Sequence, residues 1–382
     1  MDLQSAGIAA PGMAAQFGLS STMMGAVFSA SILGLLPGAL GGGWLADRIG
    51  RKRVLIGAVV LFGLFSIATA LVWDLNSLLA ARFLTGVGLG AALPNLIALS
   101  SEAADARSRG TAVSLMYCGV PLGGALAALV GMAGFASGWK AVFYVGGVAP
   151  LLVAPLLVLC LPESAAFRAQ QNARGGASAT PRASLWQGLF QEGAAMPTLL
   201  LWISYFFTLM VVYMLLNWLP TLLVGQGFSR PQAGMVQILF NLGGATGSLL
   251  LGLLLDRWRP LALVALTYAG ILAALAGLGL STAFVSMLLA GFAAGFFAIG
   301  GQLVLYALAP LFYPTAVRAT GVGAAVAVGR LGSMSGPLVA GQMLAMGTGA
   351  TGLLLASAPG VVVAAAAVFY LLGQRRAEGV TA

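Results

Sequence analysis

The sequence predicts an all-α membrane protein made of two similar six-helix halves, and three observations lead to this prediction. Of its 382 residues, 60% are hydrophobic and only 7% are charged, whereas a soluble domain is about 25% charged. The apolar residues form runs that can cross a bilayer, which takes about 20 residues in a helix. A charged motif also recurs at a fixed distance along the chain. The composition excludes a soluble enzyme, a secreted disulfide-rich scaffold and a disordered chain.

Eleven apolar runs predict membrane-spanning helices, and a shorter run, 2–16, precedes them. Lipid leaves no partner for free backbone amides, so only helices or a closed barrel can span it, and long runs without strict alternation favour helices. The predicted helices cover 20–45, 52–73, 76–100, 110–135, 140–161, 196–223, 231–254, 260–279, 283–308, 319–345 and 352–373.

The stretch 163–195 is rich in Gln, Asn, Gly and Ser, which is typical of a flexible linker. We therefore expect an N-terminal helical half over 1–162, a C-terminal helical half over 196–373 and a short tail over 374–382.

Positive charges separate by side of the membrane. Two cations, Lys140 and Arg230, lie in one set of connections, and fourteen lie in the alternate set. The fourteen are Arg48, Arg51, Lys52, Arg53, Arg107, Arg109, Arg168, Arg174, Arg182, Arg257, Arg259, Arg318, Arg375 and Arg376. Cations accumulate on the cytoplasmic side of a membrane. We therefore expect a protein of the inner membrane whose linker and C-terminus face the cytoplasm. The cations form no dense basic face, so we expect a bilayer environment and no nucleic-acid partner despite a net charge of +9.

The motif Gly-x-x-x-Asp-Arg occurs twice, with its aspartates at Asp47 and Asp256, 209 residues apart. The same distance separates Arg109 from Arg318. Two pairs at one distance predict a duplicated half. Both copies begin on the same side, so the halves are expected to be parallel repeats related by an axis along the membrane normal.

The repeat also predicts a first helix that is truncated at its N-terminus. Counting from Met196, 60 residues precede Asp256, whereas 46 precede Asp47. We hypothesise that Met1 is an internal methionine of a longer natural chain. The alternative is a natural protein with a shortened first helix.

The run Gly43-Trp-Leu-Ala-Asp-Arg-Ile-Gly-Arg-Lys52 resembles the loop between the second and third helices of the major facilitator superfamily. A carboxylate at a helix end can pair with arginines and cap a neighbouring helix, and such a latch can hold one of two conformations. The alternative, charge that only sets topology, explains Arg51 to Arg53 but not Asp47 with its glycines. The predicted gating residues are Gly43, Asp47, Arg48, Gly50, Arg51, Glu102, Arg109, Asp256, Arg257 and Arg318.

The N-terminal run Asp2-Leu-Gln-Ser-Ala-Gly-Ile-Ala-Ala-Pro11 resembles the end of the first helix in the aromatic acid:proton symporter family. Asp2 matches the second acid of that family's acidic-Gly-x-Asp signature, and the first acid is absent from this chain. The segments 82–90, 161–164 and 313–332 resemble its fourth, sixth and eleventh helices. The resemblance implies import of a hydroxylated phenylpropionate-type acid together with a proton, with no other cofactor.

Three ionisable residues lie at predicted bilayer depth, where charges are costly and usually functional. Asp2 is the expected proton carrier, with a plain N-terminal polar residue as the alternative. Arg82 offers a planar fork to a carboxylate of the substrate or of Asp2, unless it snorkels to the surface. Arg330 lies twelve residues past Arg318, about 18 Å along the helix, and either binds the substrate or ties two helices together.

An aromatic acid needs stacking surface and polar partners for its hydroxyl group. Tyr213 and Asn217 are four residues apart, as are Gln302 and Tyr306, so each pair shares a helix face. In the superfamily, the seventh and tenth helices line the cavity. The alternative for each residue is helix packing. The predicted substrate-binding residues are Arg82, Arg330, Tyr213, Asn217, Gln302, Tyr306 and Tyr117. The chain has no histidine, and we expect no metal site.

These patterns favour a monomeric symporter that is not an enzyme, over two rivals. A drug efflux antiporter usually carries Gly-Pro-x-x-Gly-Gly on its fifth helix, and the run Val120-Pro-Leu-Gly-Gly124 departs from it. A non-transporting receptor usually adds a signalling domain, which the linker is too short to provide. An inactive fragment is the second form of this rival.

Overall fold

The computed structural model describes residues 1–103, 109–133, 137–164, 167, 190, 195–255, 257–313 and 318–377. Within these ranges the regular structure is helical and no strand occurs. Eleven helical spans are long and apolar enough to cross a membrane. The predicted all-α membrane fold is therefore confirmed.

Two compact units divide the chain, Met1–Pro181 and Arg182–Ala382. The helices of the first unit are α1 (Asp2–Phe17), α2 (Ser21–Ile49), α3 (Arg51–Ala70), α4 (Leu75–Ala103), α5 (Arg109–Met132) and α6 (Lys140–Cys160). The helices of the second unit are α7 (Ala195–Gly225), α8 (Arg230–Leu255), α9 (Pro260–Leu280), α10 (Phe284–Leu308), α11 (Arg318–Ala345), α12 (Gly349–Ala356) and α13 (Ala358–Ala377). A 3₁₀ turn, Ala309–Phe312, follows α10.

The predicted apolar span 352–373 lies within the span Gly349–Gln374 of the structure. The prediction of one continuous helix there is wrong, because the structure contains two helices. α12 ends at Ala356 and α13 begins at Ala358. Pro359 explains the break, since it has no amide to donate to the preceding turn and its ring crowds that turn. The first helix, α1, has 16 residues, whereas its repeat counterpart α7 has 31.

The repeat predicted from the charged motif reappears in how helices pack within each unit. A side chain on Gly34 of α2 would collide with the carbonyl oxygen of Phe83 on α4. At the position 209 residues further along the chain, a side chain on Gly243 of α8 would collide with the carbonyl oxygen of Phe292 on α10. Glycine at such positions lets two helix backbones approach closely. The pairs α2–α4 and α8–α10 are thus equivalent contacts in the two units.

Candidate functional site

The first unit buries an ion pair between α4 and α1. Nη1 of Arg82 donates to Oδ2 of Asp2 at 3.0 Å, and Nη2 of Arg82 approaches the backbone oxygen of Asp2 at 3.4 Å. Arg82 is 1% exposed and Asp2 is 5% exposed. Arg82 therefore does not snorkel to the surface, and Asp2 is not a solvated terminal residue.

Two further helices complete the surroundings of this pair. The hydroxyl of Ser66 on α3 lies 2.8 Å from Oδ1 of Asp2 and 3.2 Å from the carbonyl oxygen of Phe143 on α6. The Phe143 ring lies 5.5 Å from the guanidinium carbon of Arg82, a distance at which a ring face attracts a cation. Each oxygen of the Asp2 carboxylate therefore has its own hydrogen-bond donor.

The physical chemistry of the pair makes it sensitive to any change in charge. Taking two charges out of water is costly, and removing one partner of a buried pair leaves the other uncompensated. Nε of Arg82 is buried and has no hydrogen-bond partner among the described residues. Nε is thus a buried donor without a described partner, in an interior that penalises such donors.

The second unit holds a cluster of tyrosines around Arg330. Nη1 of Arg330 on α11 donates to the hydroxyl of Tyr213 on α7 at 2.8 Å. Arg330 and Tyr213 also interact electrostatically with Tyr306 on α10. Arg330 is half-buried and does tie two helices together, as one of its two sequence interpretations proposed.

The predicted pair on α10 shares a face as expected. Nε2 of Gln302 donates to the hydroxyl of Tyr306 at 2.8 Å, and both side chains are half-buried. The ring of Tyr205 lies 5.5 Å from that of Tyr306, and its hydroxyl donates to the Leu305 carbonyl oxygen at 3.1 Å. This cluster offers ring faces, a phenol, an amide and a cation within one unit.

Two other predicted substrate residues are placed differently. Nδ2 of Asn217 donates to the backbone oxygen of Tyr213 at 2.8 Å, so one donor of this buried amide is used by its own helix. Tyr117 lies half-buried on α5, in the first unit, and has its own interactions there.

A third polar cluster joins the start of α3, the end of α4 and the segment after α6. Arg51 forms an ion pair with Oε1 of Glu102, and the Ser164 hydroxyl donates to Oε2 of Glu102 at 2.6 Å. Glu102, one of the predicted gating residues, thus forms an ion pair between α3 and α4.

The carboxylate of Glu163, which follows α6, caps the N-terminus of α3. The backbone amide of Lys52 donates to Oε1 of Glu163 at 3.0 Å, so this carboxylate occupies the N-terminus of α3, where the helix dipole favours negative charge. Gly50 precedes α3 with φ of +103°, and a side chain there would collide with the Glu163 carboxylate. Asp47 is exposed and has interactions of its own.

The other predicted gating residues are partly described. A side chain on Gly43 would meet no atom within 4 Å, so packing does not require glycine there. The guanidinium of Arg48 stacks on Trp44 at 3.8 Å. Arg257 is exposed. Three predictions concern parts outside the described residues, namely Asp256 itself and the side chains of Arg109 and Arg318.

Sequence reasoning missed Ser66, Phe143 and Glu163 as site residues. Ser66 and Phe143 lie within apolar runs, and no local signal marks them, because only helix packing brings them to Asp2. Glu163 could have been identified from the sequence, since it belongs to the segment 161–164 that resembles the end of a sixth helix.

Asp74 is outside the membrane spans, and hydrogen bonds from Ser77 lower the pKa of its carboxyl.

Comparison with known proteins agrees with this architecture. The chain matches the Major Facilitator Superfamily over residues 1–337 and again over 201–381. It is 61% identical to the 3-(3-hydroxy-phenyl)propionate transporter of Escherichia coli (strain K12), over 98% of this chain and 91% of the relative. It is 36% identical to the 4-hydroxybenzoate transporter PcaK of Pseudomonas putida, over 91% of this chain and 83% of that relative.

Among solved structures, the inward-open xylose transporter XylE from E. coli has a TM-score of 0.77 at 19% identity, covering 96% of this chain and 92% of that chain. That likeness concerns the fold. The relatives named for aromatic acids confirm the similarity to a family of aromatic-acid transporters that the motifs predicted. The chain belongs to the Major Facilitator Superfamily.

Proposed function

We propose that this protein is a symporter that imports an aromatic carboxylate together with a proton by alternating access. The substrate we propose is 3-(3-hydroxyphenyl)propionate or a close phenylpropionate, because the relative at 61% identity is named for that acid. The observation that carries the mechanism is the buried ion pair between Asp2 and Arg82.

Coupling follows from the charge of that pair. A proton on Asp2 removes its negative charge and leaves Arg82 without an ionised partner. A carboxylate of the substrate can then neutralise the guanidinium, whose planar fork matches it in geometry. Proton binding and acid binding therefore favour each other, and by linkage the effect is reciprocal. Asp2 is the proposed proton carrier, and no other cofactor is proposed.

Recognition of the substrate is proposed to use the polar and aromatic residues already described. Arg82 and Arg330 are the proposed carboxylate ligands. Tyr213 accepts a hydrogen bond from Arg330. Gln302 and Tyr306 can exchange their mutual hydrogen bond for bonds to a ring hydroxyl of the substrate. Asn217 and Tyr117 also remain proposed substrate-binding residues.

The cluster at the start of α3 is the proposed gate. Arg51 and Glu102 join α3 to α4 in this conformation, and an ion pair can break when the helix ends separate. Asp47, Arg48 and the repeat motif around Asp256 are proposed to act with it in the alternating movement.

The proposed setting is the cytoplasmic membrane, with the linker and the C-terminus on the cytoplasmic side and the protein as a monomer. The unequal distribution of Lys and Arg supports this orientation. No enzymatic activity is proposed, and the proposed partners are a small aromatic acid and the bilayer.

The experiment is uptake by proteoliposomes that contain the purified protein and a pH-sensitive dye. Labelled phenylpropionates and benzoates are offered at two external pH values, with and without an ionophore that abolishes the proton gradient. We expect accumulation of 3-(3-hydroxyphenyl)propionate at acidic external pH, acidification of the lumen during uptake, and loss of accumulation with the ionophore.

Two rivals give different results in the same vesicles. A drug efflux antiporter would exchange the organic substrate against protons, so an acidic exterior would oppose uptake instead of driving it. A receptor or an inactive fragment would show no transport of any acid in the panel. Equal uptake with and without a proton gradient would contradict the proposed coupling but would agree with transport of the acid.

A further inference from the structure

The hydroxyl of Ser66 faces two hydrogen-bond acceptors at once. Its oxygen lies 2.8 Å from Oδ1 of Asp2 and 3.2 Å from the carbonyl oxygen of Phe143. Ser66 is 0% exposed. A hydroxyl carries one hydrogen and can donate only once at a time, but it can also accept. Ser66 therefore has two hydrogen-bonding arrangements within the same positions of its heavy atoms.

The two arrangements correspond to the two charge states of Asp2. When Asp2 is ionised, the Ser66 hydrogen points to Oδ1 and stabilises the carboxylate. When Oδ1 carries a proton, that proton needs an acceptor in a buried place, because an unpaired buried donor is unfavourable. The Ser66 oxygen is at hydrogen-bond distance, and the Ser66 hydrogen can turn to the Phe143 oxygen.

We propose that Ser66 is a positioning residue for proton coupling, whose hydroxyl turns between Asp2 and the Phe143 carbonyl as Asp2 gains and loses its proton. One O–H bond forms at Oδ1 of Asp2, with a proton taken up from the aqueous phase. No bond of Ser66 breaks, since its own hydrogen only rotates. When the proton leaves, the Ser66 hydrogen returns to Oδ1. This inference rests on the proposed function, in which Asp2 takes up the coupling proton.

Ser66 is a neutral group that hydrogen-bonds to the carboxylate and can follow this change. Among the described residues, the charged or titratable groups that interact with Asp2 are Arg82 on α4 and the neighbouring α-amino group of Met1. From α3, the Ser66 hydroxyl donates to the carboxylate, and the Phe143 carbonyl oxygen on α6 is a second acceptor for that hydroxyl. A side chain on Gly146 would come within 3.3 Å of the Ser66 hydroxyl oxygen and 3.8 Å of Oδ1, so glycine leaves room for the hydroxyl to turn.

The test compares Ser66→Ala with a control variant that loses a hydroxyl group about one turn away on the same helix. Thr69 lies on the same helix, is 0% exposed and donates to the carbonyl oxygen of Phe65, and Thr69→Val removes that hydroxyl without changing a described contact of Asp2. Ser66→Thr keeps a hydroxyl at position 66. Ser66→Cys keeps the volume with a weak hydrogen-bonding group and serves if Ser66→Ala does not fold.

The first readout needs no substrate. Acid-minus-neutral infrared difference spectra of the purified protein should show the carbonyl band of a protonated carboxyl group that disappears in Asp2→Asn. In Ser66→Ala we expect this band at higher frequency, because the acid proton has lost its acceptor, and in Thr69→Val we expect no change. An unchanged band in both Ser66→Ala and Ser66→Cys overturns the role of Ser66. Absence of the band in the unaltered protein overturns the proton uptake by Asp2 on which the proposal depends.

The second readout separates coupling from binding. Proton-driven uptake of 3-(3-hydroxyphenyl)propionate should fall about tenfold in Ser66→Ala, as expected for one unsatisfied buried donor. Exchange of internal for external substrate, which needs no net proton movement, should stay within about twofold, since the carboxylate ligands are intact. Ser66→Thr should restore uptake. Equal losses of uptake and exchange in Ser66→Ala, matched by Thr69→Val, would instead indicate a purely structural hydroxyl.

Discussion

At the scale of single residues, the pair Asp2–Arg82 is stable only while both partners are present. Arg82→Gln should leave Asp2 as an uncompensated buried charge and lower the free energy of unfolding by about 3–5 kcal/mol. Adding Asp2→Asn should recover most of that loss, because the orphaned charge is removed together with its partner. Thermal unfolding of the purified variants measures both effects.

In the double variant we expect stability to recover but transport to remain lost. The double variant Asp2→Asn/Arg82→Gln is expected to fold but to lose proton-driven accumulation, since it has neither the proton carrier nor the carboxylate ligand. Asp74→Asn is the matched control, because Asp74 is exposed and lies outside the spans. If Arg82→Gln alone kept normal stability and uptake, the pair would have neither the structural nor the functional role assigned to it.

The contact between Tyr213 and Arg330 gives the second prediction at this scale. Tyr213→Phe removes the oxygen that accepts from the guanidinium at 2.8 Å. A hydrogen bond to a charged group contributes about 1.5–3 kcal/mol, so we expect the KM for the acid to rise by about tenfold or more. Initial rates of uptake over a range of substrate concentrations give this value.

The control for Tyr213 is another buried phenol of the same unit. Tyr268 shares a hydrogen bond with Thr208 at 2.9 Å and has no contact with Arg330 among the described interactions. Tyr268→Phe should therefore change stability but leave the KM within about twofold. A similar rise in KM for both variants would mean that Tyr213 acts through general packing and not through Arg330.

At the scale of elements, the start of α3 depends on a carboxylate from a distant part of the chain. Glu163→Ala should free the Lys52 amide and weaken the first turn of α3 by about 1 kcal/mol, the usual effect of losing a cap. Glu163→Gln keeps an oxygen that can accept and should weaken it less. Hydrogen exchange of a peptide covering 51–58 measures the change, and equal protection in Glu163→Ala and the unaltered protein would contradict it.

Most helices could be predicted from sequence because lipid leaves the backbone no other choice. The runs 140–161 and 260–279 agree with α6 and α9 within a residue at each end. The division of the last helix at Ser357 escaped prediction, since a proline near a helix start is also compatible with continuing helix. The cap by Glu163 and the contact of Ser66 with Asp2 could not be read from the sequence, because each joins residues more than 60 positions apart.

At the scale of the whole molecule, the fold is one helical arrangement used twice, with chemistry that differs between the copies. The position 209 residues after Arg82 is Gly291, and the position 209 residues after Asp2 is Val211. The buried pair is thus present in the first unit alone, while the helix contacts around Gly34 and Gly243 are common to both. Duplication accounts for the scaffold and for the repeated charged motif, whereas Asp2, Arg82 and Arg330 have no ionisable counterpart 209 residues away.

The shared scaffold leads to the last prediction. Gly38 on α2 and Gly247 on α8 are 209 residues apart, and a side chain on either would collide with the backbone of the facing helix, at Val87 and Phe296 respectively. Gly38→Ala and Gly247→Ala should each lower stability by about 1–3 kcal/mol, the usual range for overpacking. Because the two contacts are equivalent, we expect similar losses in thermal unfolding.

Gly43→Ala is the matched control, because a side chain there meets open space. Alanine in a helix is more stable than glycine by about 0.5–1 kcal/mol, so Gly43→Ala should unfold at the same or a higher temperature. If Gly43→Ala keeps its stability but slows uptake, glycine at this position serves the movement of the gate. If Gly38→Ala and Gly43→Ala unfold alike, close approach of α2 and α4 is not what glycine provides, and the scaffold argument fails in both units.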